Sequence, residues 1–315
     1  MRNSGLSYGT TGVAATTSRS TLLAFIFLVI IGGSNAVAVR LSSLDIPPFW
    51  GAASRFGLAG LIFWVIVLTR RIALPKGRAL AWTIFYGLLS IGLSYAFLYW
   101  ALILVSASMT MVTLALVPLL TFFFAVIHRT EPFRWRGLLG ALIALAGIMF
   151  GLSGPLGEGV PLERLLALVA GAACIAESSV LFKRIPPTHP VATNAVAVSS
   201  GAVFLAVVSL FAGEAWVIPG NPPSWAYFLY LVIVGSVLLF YLYLYVLSRW
   251  TASATSYSFL LFPVSTVIIA TLLTGEVITP LFILGGALVL LGVWFGTIAG
   301  GERLKEPEAA ASRLR

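Results

Sequence analysis

Apolar runs of about 20 residues, each closed by a short linker and followed by another, constrain this chain more than any other feature. A hydrocarbon core about 30 Å thick takes about 20 helical residues to cross. Ten such runs are read, at residues 21–39, 48–69, 80–100, 104–127, 135–152, 163–182, 191–212, 225–247, 252–273 and 280–299. Glycine and proline punctuate the linkers, as in Leu74-Pro75-Lys76-Gly77 and Pro219-Gly220-Asn221-Pro222-Pro223, and they let the chain turn back. The 315 residues are 60% hydrophobic and only 9% charged, against about 25% charge in a soluble domain. Such a chain cannot cover its apolar residues with polar surface, so the bilayer is its solvent. A segment in lipid must satisfy its own backbone, and the expected fold is an all-α integral membrane protein. A polar tail at 1–20 and a charged tail at 300–315 flank the helices.

Scarcity is informative too. Cys174 is the single cysteine, and His128 and His189 are the only histidines. A disulfide framework, a Cys/His zinc site and a Cys–His nucleophile pair are therefore not expected. No GxxxxGK[ST] string is present to hold a nucleotide. Neither a cofactor nor a metal is expected, and no catalytic residue is assigned. The net charge of +9 has a topological reading. With the N-terminus in the cytoplasm, 16 of the 19 Lys and Arg fall on the inner side, as the positive-inside rule requires. Only Arg40 and Arg164 fall outside, and Arg55 lies within the second run. The basic excess thus points to a bilayer rather than to nucleic acid, with both termini cytoplasmic.

Shifted by 145 residues, the chain aligns with itself. Residues 95–151 match 240–296 without a gap, at 15 identities in 57. Pro118 falls on Pro263, Glu131 on Glu276, and Gly140, Gly147 and Gly151 on Gly285, Gly292 and Gly296. Ser108 falls on Ser253 and Thr110 on Thr255, while Ser106 faces Thr251 and Thr113 faces Ser258. Apolar helices share Leu and Ala by chance, but not a proline, a glutamate and three glycines in register. Residues 21–152 and 163–299 are therefore read as two five-helix repeats. Five is odd, so the second repeat enters the membrane from the opposite side. Two inverted halves round a midplane site suit alternating access.

These residues resemble the drug/metabolite transporter superfamily, in its ten-helix EamA-type branch. The pattern is carried by Gly32-Gly33-Ser34-Asn35-Ala36-Val37-Ala38-Val39-Arg40, by Arg55-Phe56, by Ala101-Leu102 and Ala107-Ser108, and by Pro118 and Glu131. The second copy shows Ala252-Ser253, Pro263 and Glu276. The resemblance implies two inverted repeats in a bacterial inner membrane and export of small metabolites. Within the branch the chain looks most like bacterial exporters of aromatic amino acids. One departure is that Arg55 has no clear counterpart among Pro190 to Ala197.

Ionisable and polar groups within apolar runs are the candidate site residues, since they are costly there. Glu177 is read as a partner for a substrate ammonium or as a proton site, against snorkelling towards Lys183 and Arg184. Asn35 aligns roughly opposite Glu177, and Ser178 is grouped with them. Arg55 is an intramembrane charge able to attract a carboxylate, against structural pairing or snorkelling outward. Tyr95 and Tyr99 share a face at i, i+4, as do Tyr241 and Tyr245, and all four are candidates to line a cavity. Pro118, Pro263, Ser108 and Ser253 are candidate hinge or cavity positions, the prolines being read as mid-helix. The two GxxxG pairs are read as packing within the fold, and Glu131 and Glu276 as helix caps. The site is expected among the first, third, fourth, sixth, eighth and ninth runs. The expected function is a secondary transporter exporting small metabolites, chiefly amino acids including aromatic ones. The alternatives are a carrier of nucleotide-linked sugars or purine-like solutes and, remotely, an intramembrane enzyme.

Overall fold

The computed structural model describes residues 19–43, 45–129, 133, 135–152, 159–250, 252–274 and 279–295. The tails, Glu131, Thr251, Glu276 and Gly296 lie outside the described residues. Among the described residues the regular structure is entirely helical. The helices are α1 (Arg19–Ser42), α2 (Pro48–Thr69), α3 (Arg78–Leu102), α4 (Ala107–Ile127), α5 (Trp135–Leu152), α6 (Leu162–Phe182), α7 (Pro190–Phe211), α8 (Pro222–Arg249), α9 (Ser258–Thr274, after a short turn at Ala252–Ser256) and α10 (Pro280–Val293). Among the described residues, eight helical segments are long and apolar enough to cross a membrane; α5 and α10 occupy the fifth and tenth runs but are not among the eight. Proline opens α2, α7, α8 and α10. At a first turn its missing N–H costs nothing and its fixed φ fits the helix.

Two helices carry a π segment within them. Leu88–Leu93 in α3 and Ile233–Leu238 in α8 are π-helical, and they stand 145 residues apart. α4 breaks at Ala115–Leu116, so Pro118 sits in the first turn of its second segment rather than mid-helix. Proline has no N–H for the Leu114 carbonyl, and the helix gives way just ahead of it. Pro263 does lie inside α9.

Packing follows the repeat. α2 lies against α7 and α5 against α10; α1 runs beside α8 and α9, and α6 beside α3 and α4. Exchanging the halves maps this pattern onto itself. Helix direction is readable from side-chain ties. Arg40, near the end of α1, donates to the Val105 carbonyl at 3.2 Å, and Arg164, at the start of α6, donates to the Trp100 carbonyl. Val105 and Trp100 both lie at the end of α3, so α1 and α6 run in opposite directions.

Gly147 and Gly292, the first glycine of each GxxxG pair, serve the α5–α10 contact. A Cβ on Gly147 would stand 2.5 Å from the Gly285 carbonyl oxygen, and one on Gly292 would stand 2.6 Å from the Ala144 nitrogen. Small residues let two backbones meet where lipid gives no hydrophobic drive to association.

Candidate functional site

Six helices close round a central chamber, three from each half. α1 supplies Gly32, Asn35 and Val39, and α3 supplies Tyr86, Ser90, Tyr95 and Tyr99. Thr110 and Met111 of α4 complete the first half's share. The second half adds Ile175 and Ser178 from α6, Leu239, Phe240 and Tyr243 from α8, and Phe259 and Phe262 from α9. The space between the wall atoms, open mouth included, is about 830 Å³. Rings share the wall with aliphatic side chains: seven of the 21 lining residues described are Tyr or Phe. Phe56 and Tyr95 pack edge to face at 4.8 Å, Tyr95 and Phe240 at 6.1 Å, and Tyr243 and Phe259 at 6.2 Å. No charged side chain is among the lining residues described.

The π turns shape this wall. In a π turn each carbonyl pairs five residues on, so the ladder is loosened and rotated. Ser236 follows that spacing, its hydroxyl donating to the Leu231 carbonyl at 2.7 Å. The Gly235 carbonyl accepts from Asn35 Nδ2 at 3.4 Å. Next to it, the hydroxyls of Ser34 and Tyr230 meet at 2.5 Å. The π turn of α8 is thus sewn to the mid-part of α1. Ser90, in the other π turn, has a buried hydroxyl without a hydrogen-bond partner.

Of the residues singled out from sequence, Asn35, Tyr95, Tyr99 and Ser178 meet on the chamber wall. Tyr241 and Tyr245 do not. The 145-residue register pairs Tyr95 and Tyr99 with Phe240 and Leu244, so equal i, i+4 spacing put the α8 tyrosines in the wrong phase. Tyr245 donates to Ser20 Oγ at 3.3 Å and carries the Arg249 guanidinium 3.5 Å over its ring. Ser108 is buried away from the chamber, and the Ser253 side chain lies outside what is described. Thr110 and Thr113 turn back on their own helix, donating to the Ser106 and Met109 carbonyls at 2.9 and 3.0 Å.

Glu177 is neither in the chamber nor free at the edge of α6. Its Oε1 lies 2.6 Å from His128 Nε2, and Arg184 reaches His128 Nδ1 at 3.1 Å. Residues 177 and 178 are about 100° apart on a helix, so Ser178 faces the chamber while Glu177 ties α6 to the end of α4. Nothing in the sequence around His128 pairs it with a residue 49 positions away.

Arg55 departs from one of the two structural readings made of it, snorkelling, and its pairing is with rings rather than with a described acid. It does not snorkel, being 0% exposed, and Nε, Nη1 and Nη2 have no hydrogen-bond partner. Its guanidinium carbon lies 4.3 Å from the centre of the Phe56 ring, 5.3 Å from Tyr95 and 5.7 Å from Tyr99. The last two rings also line the chamber, so the charge stands directly behind the wall.

Sequence reasoning missed Tyr86, Phe240, Tyr243, Phe259 and Phe262. The repeat register carried a signal for Phe240, as the partner of Tyr95. The others stand among further aromatics in apolar helices, as Tyr86 beside Phe85 and Tyr243 between Tyr241 and Tyr245, so nothing marked the one that faces the chamber.

Comparison with known proteins agrees with this architecture. The pattern of the EamA-like transporter family matches residues 19–152 and, separately, residues 163–298. The uncharacterized inner membrane transporter YedA of Escherichia coli strain K12 is 30% identical over 278 residues, 86% of this chain and 88% of that one. The same protein from the O157:H7 strain matches to the same degree. A solved crystal structure superposes with a TM-score of 0.65 over 89% of this chain and 97% of that chain. At 22% identity it shows the fold alone. A family pattern that fits the chain twice, each time over one half of the bundle that encloses the chamber, settles the matter: the chain belongs to the EamA-like transporter family, within the drug/metabolite transporter superfamily, and is a membrane transporter of that type.

Proposed function

We propose that this chain is a secondary transporter of the bacterial inner membrane that exports small metabolites, foremost amino acids with bulky or aromatic side chains. The observation that carries this reading is the chamber: three helices from each half, seven rings set among aliphatic side chains, a few hydroxyls and one amide, and no charged side chain among the described lining residues. A flat apolar side chain gains from burial against such rings, and the polar groups suffice to orient one small head group. The work is alternating exposure of one site, so no chemistry on the solute is needed. The two halves, 21–152 and 163–299, act as inverted five-helix repeats with α5 and α10 also crossing the bilayer. The opposed directions of α1 and α6 and the matched π turns support this. The Escherichia coli relative is by name an inner membrane transporter, which supports the location. Basic inner linkers support cytoplasmic termini.

Carriage of nucleotide-linked sugars is the weaker reading. Their phosphates call for several cations at the wall, and the chamber presents none. In proteoliposomes, labelled phenylalanine, tyrosine and tryptophan are expected to cross faster than through protein-free vesicles, without a pH gradient. An absence of protein-dependent flux for every amino acid in a broad panel overturns the substrate class.

A further inference from the structure

We infer that Arg55 is the positioning residue for a carboxylate in the chamber, acting through the Tyr99 hydroxyl, and that it sets specificity for solutes with a single carboxylate. The inference deepens the substrate reading above and rests on the chamber being the transport site. A guanidinium keeps its charge at any accessible pH and carries five N–H donors. Ring faces offset part of the cost of burying that charge, but they satisfy no donor in the manner of a carboxylate. A buried charge left unpaired costs several kcal/mol, so the position calls for a counter-anion.

That anion is not found among the described acids. Glu177 is held by His128. Glu214 accepts from the Phe49 and Trp50 amides at 3.1 and 2.7 Å and from Ser209 Oγ at 2.8 Å. Asp45 accepts from Asn221 and Ser224, and Glu163 is exposed at the start of α6. The unpaired charge faces the chamber through two rings only. Tyr99 is 3% exposed, lines the chamber, and its hydroxyl has no hydrogen-bond partner. A carboxylate oxygen accepting from that hydroxyl brings a negative charge towards the guanidinium in a low-dielectric setting, where charges act strongly. On the same wall, Asn35 turns Nδ2 to the Gly235 carbonyl and leaves Oδ1 buried without a partner. That oxygen lies against Gly235, and turned towards the chamber it suits a donor such as an ammonium. One cation, one hydroxyl donor and one amide acceptor complement an amino-acid head group and do not complement a multiply charged phosphate.

The test titrates purified wild type, R55K, R55M and Y99F by thermal shift with two acid–amide pairs: phenylalanine with phenylalaninamide, and 3-phenylpropionate with 3-phenylpropionamide. In the wild type each acid is expected to protect at about tenfold lower concentration than its amide. R55K should keep the preference, R55M should bind acid and amide alike, and Y99F should lose most of it. A folded R55M that keeps the full preference overturns the inference, as does a wild type with none. Where R55M does not fold, Y99F decides, and full preference there overturns it equally. A preference for 3-phenylpropionate with no flux of any amino acid leaves the anchor standing and sinks the amino-acid reading.

Discussion

The third helix of each half and the fourth helix of each half treat the repeat differently. α3 and α8 carry π turns at Leu88–Leu93 and Ile233–Leu238, in register over 145 residues. α4 and α9 carry prolines in the same register, yet α4 breaks at Ala115–Leu116, close ahead of Pro118, whereas the break near α9 is at Tyr257, well ahead of Pro263. Their surroundings differ. Every residue from Ala107 to Leu119 is buried, while α9 exposes Leu261, Val264, Ile268 and Leu272. Missing backbone donors create a weak point in both helices, but the neighbours decide where the chain yields. The π turns stand in register beside the shared chamber, Ser90 of the first lining it and the second ending just before the lining residue Leu239, and there the two halves have stayed alike.

The α5–α10 contact gives the sharpest test of equivalence between the halves. G147A and G292A each drive a methyl group into partner backbone, and overpacking costs about 1–3 kcal/mol. Both variants are expected to lose thermal stability in detergent by similar amounts. A harmless G292A beside a damaging G147A breaks the symmetry at this interface. Next in size is truncation of the matched rings. Y95A and F240A each remove one of a facing pair 6.1 Å apart, a contact worth about 0.5–1.5 kcal/mol. Half-saturating concentration for an aromatic substrate should rise up to about tenfold for each. An effect confined to one of them shows that the substrate's ring rests on that half alone.

The smallest effect concerns the two cationic ties. Arg40 donates to Val105, and Lys183 donates to Trp250, at 2.6 Å, and to Leu247. Val105 and Trp250 are again 145 residues apart, and the ties sit at opposite ends of the bundle. Partly exposed charge-assisted contacts are worth about 1 kcal/mol or less. R40Q should speed amide hydrogen exchange a few-fold around residues 103–106 only, and K183Q around residues 248–250 only. Faster exchange at both ends in either variant shows the ends to be coupled rather than independent.

Much of the fold was readable before any coordinates. Apolar length marked the helices, and the offset of 145 residues marked the halves. Asn35, Tyr95 and Tyr99 were readable because a polar or ringed residue stands out in an apolar run. Glu177 shows where that reasoning stops: the charge stands out as clearly, but the neighbouring Ser178 is the one turned to the chamber. Arg55 shows it again, since the sequence gives a charge within α2 and is silent on whether an acid lies near it.

By itself the sequence determined that the chain lives in a bilayer, that it is helical and that it was built from two copies. Those properties depend on composition, segment length and register, which are all written along the chain. Only the tertiary structure decided which face of each helix meets the chamber, which rings line it, and that Arg55 meets rings rather than an acid among the described residues. Lipid is as apolar as the protein interior, so hydrophobic periodicity, which tells inside from outside in water, has no such contrast to record here.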